Sequence, residues 1–112
     1  MFIDLKDKYA FYMDSAGNEI PEEIDVLLKR ITKQGLEMNP PINLQYYGNS
    51  PLEHQYGNTE CGMYTLYFLI TMLTDETEGK KFRNYHEKIH FFKNKRIPDK
   101  YMQRYRKIYF NY

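Results

Sequence analysis

The single cysteine of this chain, Cys61, lies in the stretch HQYGNTECGMYTLYFL, between a polar, glycine-containing loop and a strongly apolar run. A thiol at the start of a helix feels the positive end of the helix dipole, which favours the thiolate and hence nucleophilic chemistry. Gly62 removes a side chain where a substrate carbonyl would approach the backbone, and Gln55 stands six residues before the thiol. A backbone N–H together with a side-chain amide is a sufficient oxyanion hole. The same residues also fit a plainer role, because free cysteine is among the most buried residue types. Local chemistry leaves both readings open.

The three histidines offer other chemistry. His54 directly precedes Gln55 and reads as a loop residue that hydrogen-bonds locally. His86-Glu87-Lys88-Ile89-His90 matches H-E-x-x-H, in which two histidines one helical turn apart share a zinc ion and the glutamate acts as base. A zinc peptidase needs a third protein ligand. No Glu or His follows His90, and Asp99 is the only later carboxylate. The segment therefore reads as a basic surface helix with no metal, and a zinc peptidase remains an alternative. No motif calls for a cofactor.

The elements that would position these residues follow from periodicity and turn chemistry. FIDLK and YAFYM, within residues 1–14, alternate and carry β-formers, and the Asp7-Lys8 step suits a tight hairpin turn. Asp14-Ser15-Ala16-Gly17-Asn18 is a turn cluster, in which Asp14 alone reads as a turn residue. Ile24, Leu27, Leu28 and Ile31 recur at helical spacing, which predicts a helix over about 21–34, ended by Gly35. A strand is expected at about 42–47, a polar loop over 48–60, and an apolar, centrally buried helix over about 61–74. Residues 80–112 read as a basic helical tail, with a weaker helix over 80–93 and a last one starting at Pro98. Tyr101, Tyr105, Ile108 and Tyr109 form its apolar stripe. The order of elements is α+β.

A chain of 112 residues supports one domain, and 42% hydrophobic content is globular rather than disordered. No apolar stretch approaches the length of a membrane span, and the first residues lack the features of a signal peptide. One cysteine cannot form an internal disulfide, which suits a reducing compartment. The net charge of +1 hides an asymmetry: residues 1–79 carry 5 Lys/Arg against 13 Asp/Glu, and residues 80–112 carry 11 against 2. Basic residues interleaved with aromatic ones can follow a phosphate backbone, so residues 80–112 have a nucleic-acid reading beside that of a docked helix with a solvated face.

Gln55-x5-Cys61-Gly62 ahead of an apolar helix resembles the nucleophile motif of the SUMO-protease and adenain-like cysteine peptidases. MFIDLKDKYAFYMDSAG resembles that family's hydrophobic hairpin ending in Asp-Ser-x-Gly. ECGMYTLYFLITML and RIPDKYMQRYRKIYF look most like members from large DNA viruses, relatives of poxviral, asfarviral and mimivirus-like polyprotein-processing proteases. The resemblance covers nearly the whole chain. It implies a papain-like α+β fold in which Cys61 is the nucleophile, Gln55 an oxyanion donor, Asp14 the residue that orients a catalytic histidine, and Gly62 part of the substrate cleft. It also implies a protein or polyprotein substrate cut after Gly-Gly-like or Ala-Gly-like sites, in host cytoplasm or virion. A deSUMOylase-type isopeptidase shares this chemistry. The family's histidine precedes its aspartate by somewhat more than a dozen residues, and none of the 13 residues before Asp14 is His. The expectation is therefore the C-terminal part of a longer peptidase, inactive as it stands. The competing expectation is an inactive module that binds nucleic acid or a virion core through its tail.

Overall fold

The computed structural model describes residues 1–110. Two strands open the chain, β1 (Phe2–Asp4) and β2 (Tyr9–Tyr12), paired antiparallel with Phe2 opposite Phe11 and Asp4 opposite Tyr9. That register leaves a four-residue connection, Leu5–Lys8, in place of the expected two-residue turn. Asp4 Oδ1 accepts from the Asp7 N–H at 2.9 Å, and Lys8 takes the left-handed conformation at φ 60°. β3 (Gln45–Gly48) then pairs parallel to β2. Parallel neighbours need a long crossover, and α1 (Glu22–Leu36) occupies it. β2 is thus the central strand, with Tyr9, Ala10 and Phe11 fully buried.

Gly35 does not stop α1. It sits inside the helix, buried, where an added Cβ would lie 2.8 Å from the Ile42 carbonyl oxygen. The crossover chain packs against the helix backbone at this point, and Ile42 N–H donates to the Gly35 carbonyl at 2.7 Å.

α2 (Cys61–Thr74) has the expected bounds. Met63, Tyr64, Tyr67, Phe68 and Met72 enter the core beside Tyr9 and Phe11 of β2. Phe68 packs on Phe11 and on Phe92, with ring centroids 5.3 and 5.0 Å apart. The helix is not enclosed on every side as expected, because Leu73 is 72% exposed. Asp75, at φ 62°, turns the chain into a short hairpin of β4 (Glu76–Thr77) and β5 (Lys80–Lys81) that sequence periodicity did not predict.

α3 (Tyr85–Asn94) begins five residues later than expected. The Asn84 side chain accepts from the Glu87 N–H at its N-terminus. Lys88, almost wholly buried, donates to the Met72 carbonyl at 3.0 Å and to Asp75 Oδ1 at 2.5 Å, fastening α3 to the end of α2. α4 (Asp99–Phe110) follows Pro98 and packs on α2 through Met102 and Tyr105. Tyr101 and Tyr109 are half-buried, whereas Ile108 is exposed and lies outside the stripe expected of it. No helix among the described residues is long and apolar enough to cross a membrane. The last two positions of the expected tail, 111–112, lie outside the described residues.

Candidate active site

The turn after β2 is held from outside by one buried side chain. Asn49 Oδ1 accepts from the Asp14 N–H at 2.8 Å, while its Nδ2 donates to the carbonyls of Asp14 at 2.5 Å and Leu52 at 3.0 Å. The sequence placed Asn49 in a polar loop and gave no sign of this role. Gly17 completes the turn at φ +79°, and an added Cβ would stand 2.9 Å from the carbonyl oxygens of both Pro51 and Leu52. Only glycine meets both demands. The Asp14 turn is therefore docked on the segment that leads into His54 and Gln55. The Asp14 carboxylate itself accepts from the Ala16 N–H through Oδ1 at 2.9 Å, the local bond of a turn aspartate.

Gln55 joins that turn through the next residue. Ser15 Oγ donates to Gln55 Oε1 at 2.7 Å, and the Ser15 carbonyl accepts from the N–H groups of His54 and Gln55, both at 2.8 Å. Gln55 is 7% exposed, yet its Nε2 has no hydrogen-bond partner among the described residues. Six residues on, Cys61 begins α2 as an exposed free thiol. No side chain caps that helix, so the first N–H groups of α2 remain open. The space in front of Gly62 is also open, since an added Cβ would meet no atom within 4 Å.

The loop between Gln55 and Cys61 is braced from the C-terminal segment. Asp99 Oδ2 accepts from the Tyr56 and Gly57 N–H groups at 3.1 and 3.0 Å. Burial opposes the Asp99 charge, but these N–H groups, the Tyr64 hydroxyl and the Arg96 charge together hold the carboxyl below the usual carboxylate range. The Arg96 guanidinium lies 3.5 Å from the Tyr56 ring centroid. Glu60 is buried beside the thiol and pairs with Arg106 Nη2 at 2.6 Å. Tyr64 Oη reaches the Ile97 carbonyl at 2.6 Å and Asp99 Oδ1 at 3.1 Å, and burial with the Asp99 charge pushes its phenol far above its ordinary value. Four of the eleven basic residues of the tail are committed to ion pairs. Arg83 pairs with Glu87, Lys88 with Asp75, Arg104 with Glu78 and Arg106 with Glu60.

His54 differs from the local loop role expected of it. It is fully buried, and its ring bonds reach 38 and 43 residues along the chain. Nδ1 accepts from the Ile97 N–H at 2.9 Å, which leaves Nε2–H to donate to the Phe92 carbonyl at 2.8 Å. One neutral tautomer satisfies both bonds, and burial lowers the imidazole pKa below 6.5. His54 therefore has no nitrogen free to serve as a base. His86 and His90 lie exposed on α3 and line a groove with Phe82, Phe91 and Lys95. Glu87 between them is bound by Arg83, whose N–H, Nε and Nη2 all reach its carboxylate. His90 Nδ1 meets Asn94 Nδ2 at 2.9 Å. Among the described residues no group of three or more His, Cys, Asp or Glu side chains is placed to hold a metal ion.

No family model matches the chain, and no curated protein matches it. Two crystal structures of the ASFV pS273R protease, one of them the selenomethionine protein, match it with a TM-score of 0.66 at 24% sequence identity. The match covers 84% of this chain but only 30% and 31% of theirs. The likeness shows the fold: the α+β arrangement expected from the sequence is that of a part of a viral protease.

Proposed function

We propose that this chain carries the nucleophile half of a cysteine-peptidase site that processes viral protein or polyprotein. The observation that carries the reading is the Gln55 carboxamide. The residue is largely buried, its side-chain oxygen is held by Ser15, and its N–H₂ is unspent and reaches the surface six residues ahead of an exposed cysteine at an uncapped helix N-terminus. The fold shared with a viral protease supports the same reading.

In the reaction, Cys61 Sγ attacks the scissile carbonyl. The oxygen of the tetrahedral intermediate accepts from Gln55 Nε2–H and from the Cys61 N–H. Asp14, half-buried at the rim of its turn, sets the tautomer of the imidazole that deprotonates the thiol. That imidazole comes from outside these residues, because His54 has both ring nitrogens engaged and His86 and His90 make no hydrogen bond to Cys61 or Asp14. Open space over Gly62 suits a substrate backbone with small residues, Gly-Gly-like or Ala-Gly-like, before the cut. The setting is host cytoplasm or virion.

The test compares the 112-residue chain with a protein extended upstream in its reading frame to include a histidine followed by an aromatic residue. On Gly-Gly-x and Ala-Gly-x peptides the short chain cleaves little or nothing and the extended one cleaves. Cys61→Ala abolishes turnover, Gln55→Ala costs roughly 10²-fold, and Asp14→Asn impairs it. Cleavage of SUMO conjugates in preference to these peptides assigns a deSUMOylase instead. An extended protein that is inert on every such substrate, and binds DNA or RNA with a steep salt dependence, replaces the peptidase reading with a binding module on the tail.

A further inference from the structure

A carboxamide presents nearly the same shape with its oxygen or its nitrogen forward, but the two orientations are chemically opposite. With nitrogen forward it donates to an oxyanion. With oxygen forward it sets a lone pair against one. Something must therefore choose the orientation of Gln55. The only hydrogen bond to its carboxamide among the described residues comes from Ser15 Oγ, which donates to Oε1 at 2.7 Å. The Ser15 hydroxyl has no other acceptor among the described residues, so a reversed carboxamide would make it accept from Nε2–H and turn its own proton away from the protein, losing the donated bond. The Ser15 carbonyl meanwhile fixes the backbone of the same residue through the Gln55 N–H. Main chain and side chain of Gln55 are thus set by one residue 40 positions earlier.

We propose that Ser15 is the positioning residue of the oxyanion hole: it holds Oε1 so that Nε2 faces the reacting carbonyl. The proposal rests on the reading of Cys61 and Gln55 given above. It makes the serine beside Asp14 part of the machinery without touching substrate, and it couples the turn that carries Asp14 to the donor that Gln55 supplies.

Two reagents on the 112-residue chain test it, and neither needs a general base to reach an end point. With the peptide aldehyde acetyl-Ala-Gly-glycinal, the Cys61 thiol adds across the C=O bond. A C–S bond forms, the carbonyl π pair moves to oxygen, and the thiol proton reaches that oxygen through solvent, giving a reversible hemithioacetal in the oxyanion hole. With iodoacetamide, a C–S bond forms, iodide leaves and the proton goes to solvent, with no oxyanion at any stage. Ser15→Ala is expected to weaken the aldehyde adduct on the order of tenfold, the effect of one lost neutral hydrogen bond. Its alkylation rate should match that of the parent chain, and Ser15→Thr, which keeps the hydroxyl, should restore most of the affinity. If Gln55→Ala weakens the adduct and Ser15→Ala does not, the positioning role is wrong and the reading of Gln55 stands. If Ser15→Ala slows alkylation by the same factor, the residue is merely structural and the proposal falls. If Gln55→Ala has no effect, or the parent chain binds the aldehyde no better than free cysteine does, the underlying peptidase reading falls with it.

Discussion

Replacing His54 by glutamine isolates a buried latch. Glutamine can keep a donor near Nε2 for the Phe92 carbonyl, but it has no acceptor where Nδ1 receives the Ile97 N–H at 2.9 Å. One buried N–H is left unpaired, which costs about 1–3 kcal/mol at neutral pH. The pH dependence carries a second signature. The folded-state pKa of His54 is depressed from 6.5 by burial, with the Arg96 charge acting in the same direction, although the bond to Phe92 opposes them. The unfolded chain therefore takes up this proton first. The stability that His54 contributes is present above about pH 6.5 and is lost as pH falls toward the folded-state pKa, by at most about 1.4 kcal/mol per pH unit. His54→Gln does not titrate, so its deficit should shrink by up to about 1.4 kcal/mol between pH 7.5 and 5.5. Urea unfolding of both proteins across that range gives the difference directly, since every other titrating group is common to the two. Parallel stability curves for the two proteins, or an NMR spectrum showing His54 with its proton on Nδ1 at pH 7.5, would refute the reasoning.

Other residues give sharper contrasts. Gly17→Ala should lower stability by about 1–2 kcal/mol or more, because it needs a left-handed residue and brings a methyl to 2.9 Å from two carbonyl oxygens; the urea midpoint reports it. Gly62→Ala should leave stability unchanged or raise it by up to about 1 kcal/mol, since nothing lies within 4 Å, yet it should weaken the aldehyde adduct of Cys61. Arg106→Gln leaves the buried Glu60 carboxylate unpaired beside Cys61, so alkylation by iodoacetamide should slow severalfold, and Glu60→Gln in the same chain should restore it. A rate that is indifferent to Arg106 would show that this pair only shapes the loop.

The sequence announced the elements whose signals are local. The apolar run from Cys61 onward, preceded by a polar loop, marked α2 residue for residue, and the turn cluster after Tyr12 marked the end of the hairpin. Gly35 misled because a glycine at the end of a helical pattern normally caps it, while here its missing side chain admits the Ile42 carbonyl, a tertiary demand invisible in the local pattern. β4 and β5 are two residues each, too short for any alternation to register. At the candidate site, Cys61, Gln55 and Asp14 were named from a motif resemblance. Their supports were not. Asn49 grips Asp14 across 35 residues, Asp99 reaches Gly57 across 42 and Arg106 reaches Glu60 across 46, and no periodicity spans such separations.

Those separations also bear on time. The loop that presents Cys61 is bound on one side by Ser15, in the turn after β2, and on the other by α4, the last element described. During synthesis the thiol is made before Asp99 and Arg106, the residues that hold its loop from the other side. β2 and α2 can collapse on each other early, since the contacts between Phe11 and Phe68 need only the first part of the chain. The geometry around Cys61 must wait for the final helix. A nascent chain therefore carries the cysteine with half its setting, and a cut or early stop within α3 would preserve the thiol while leaving its loop held by Ser15 alone.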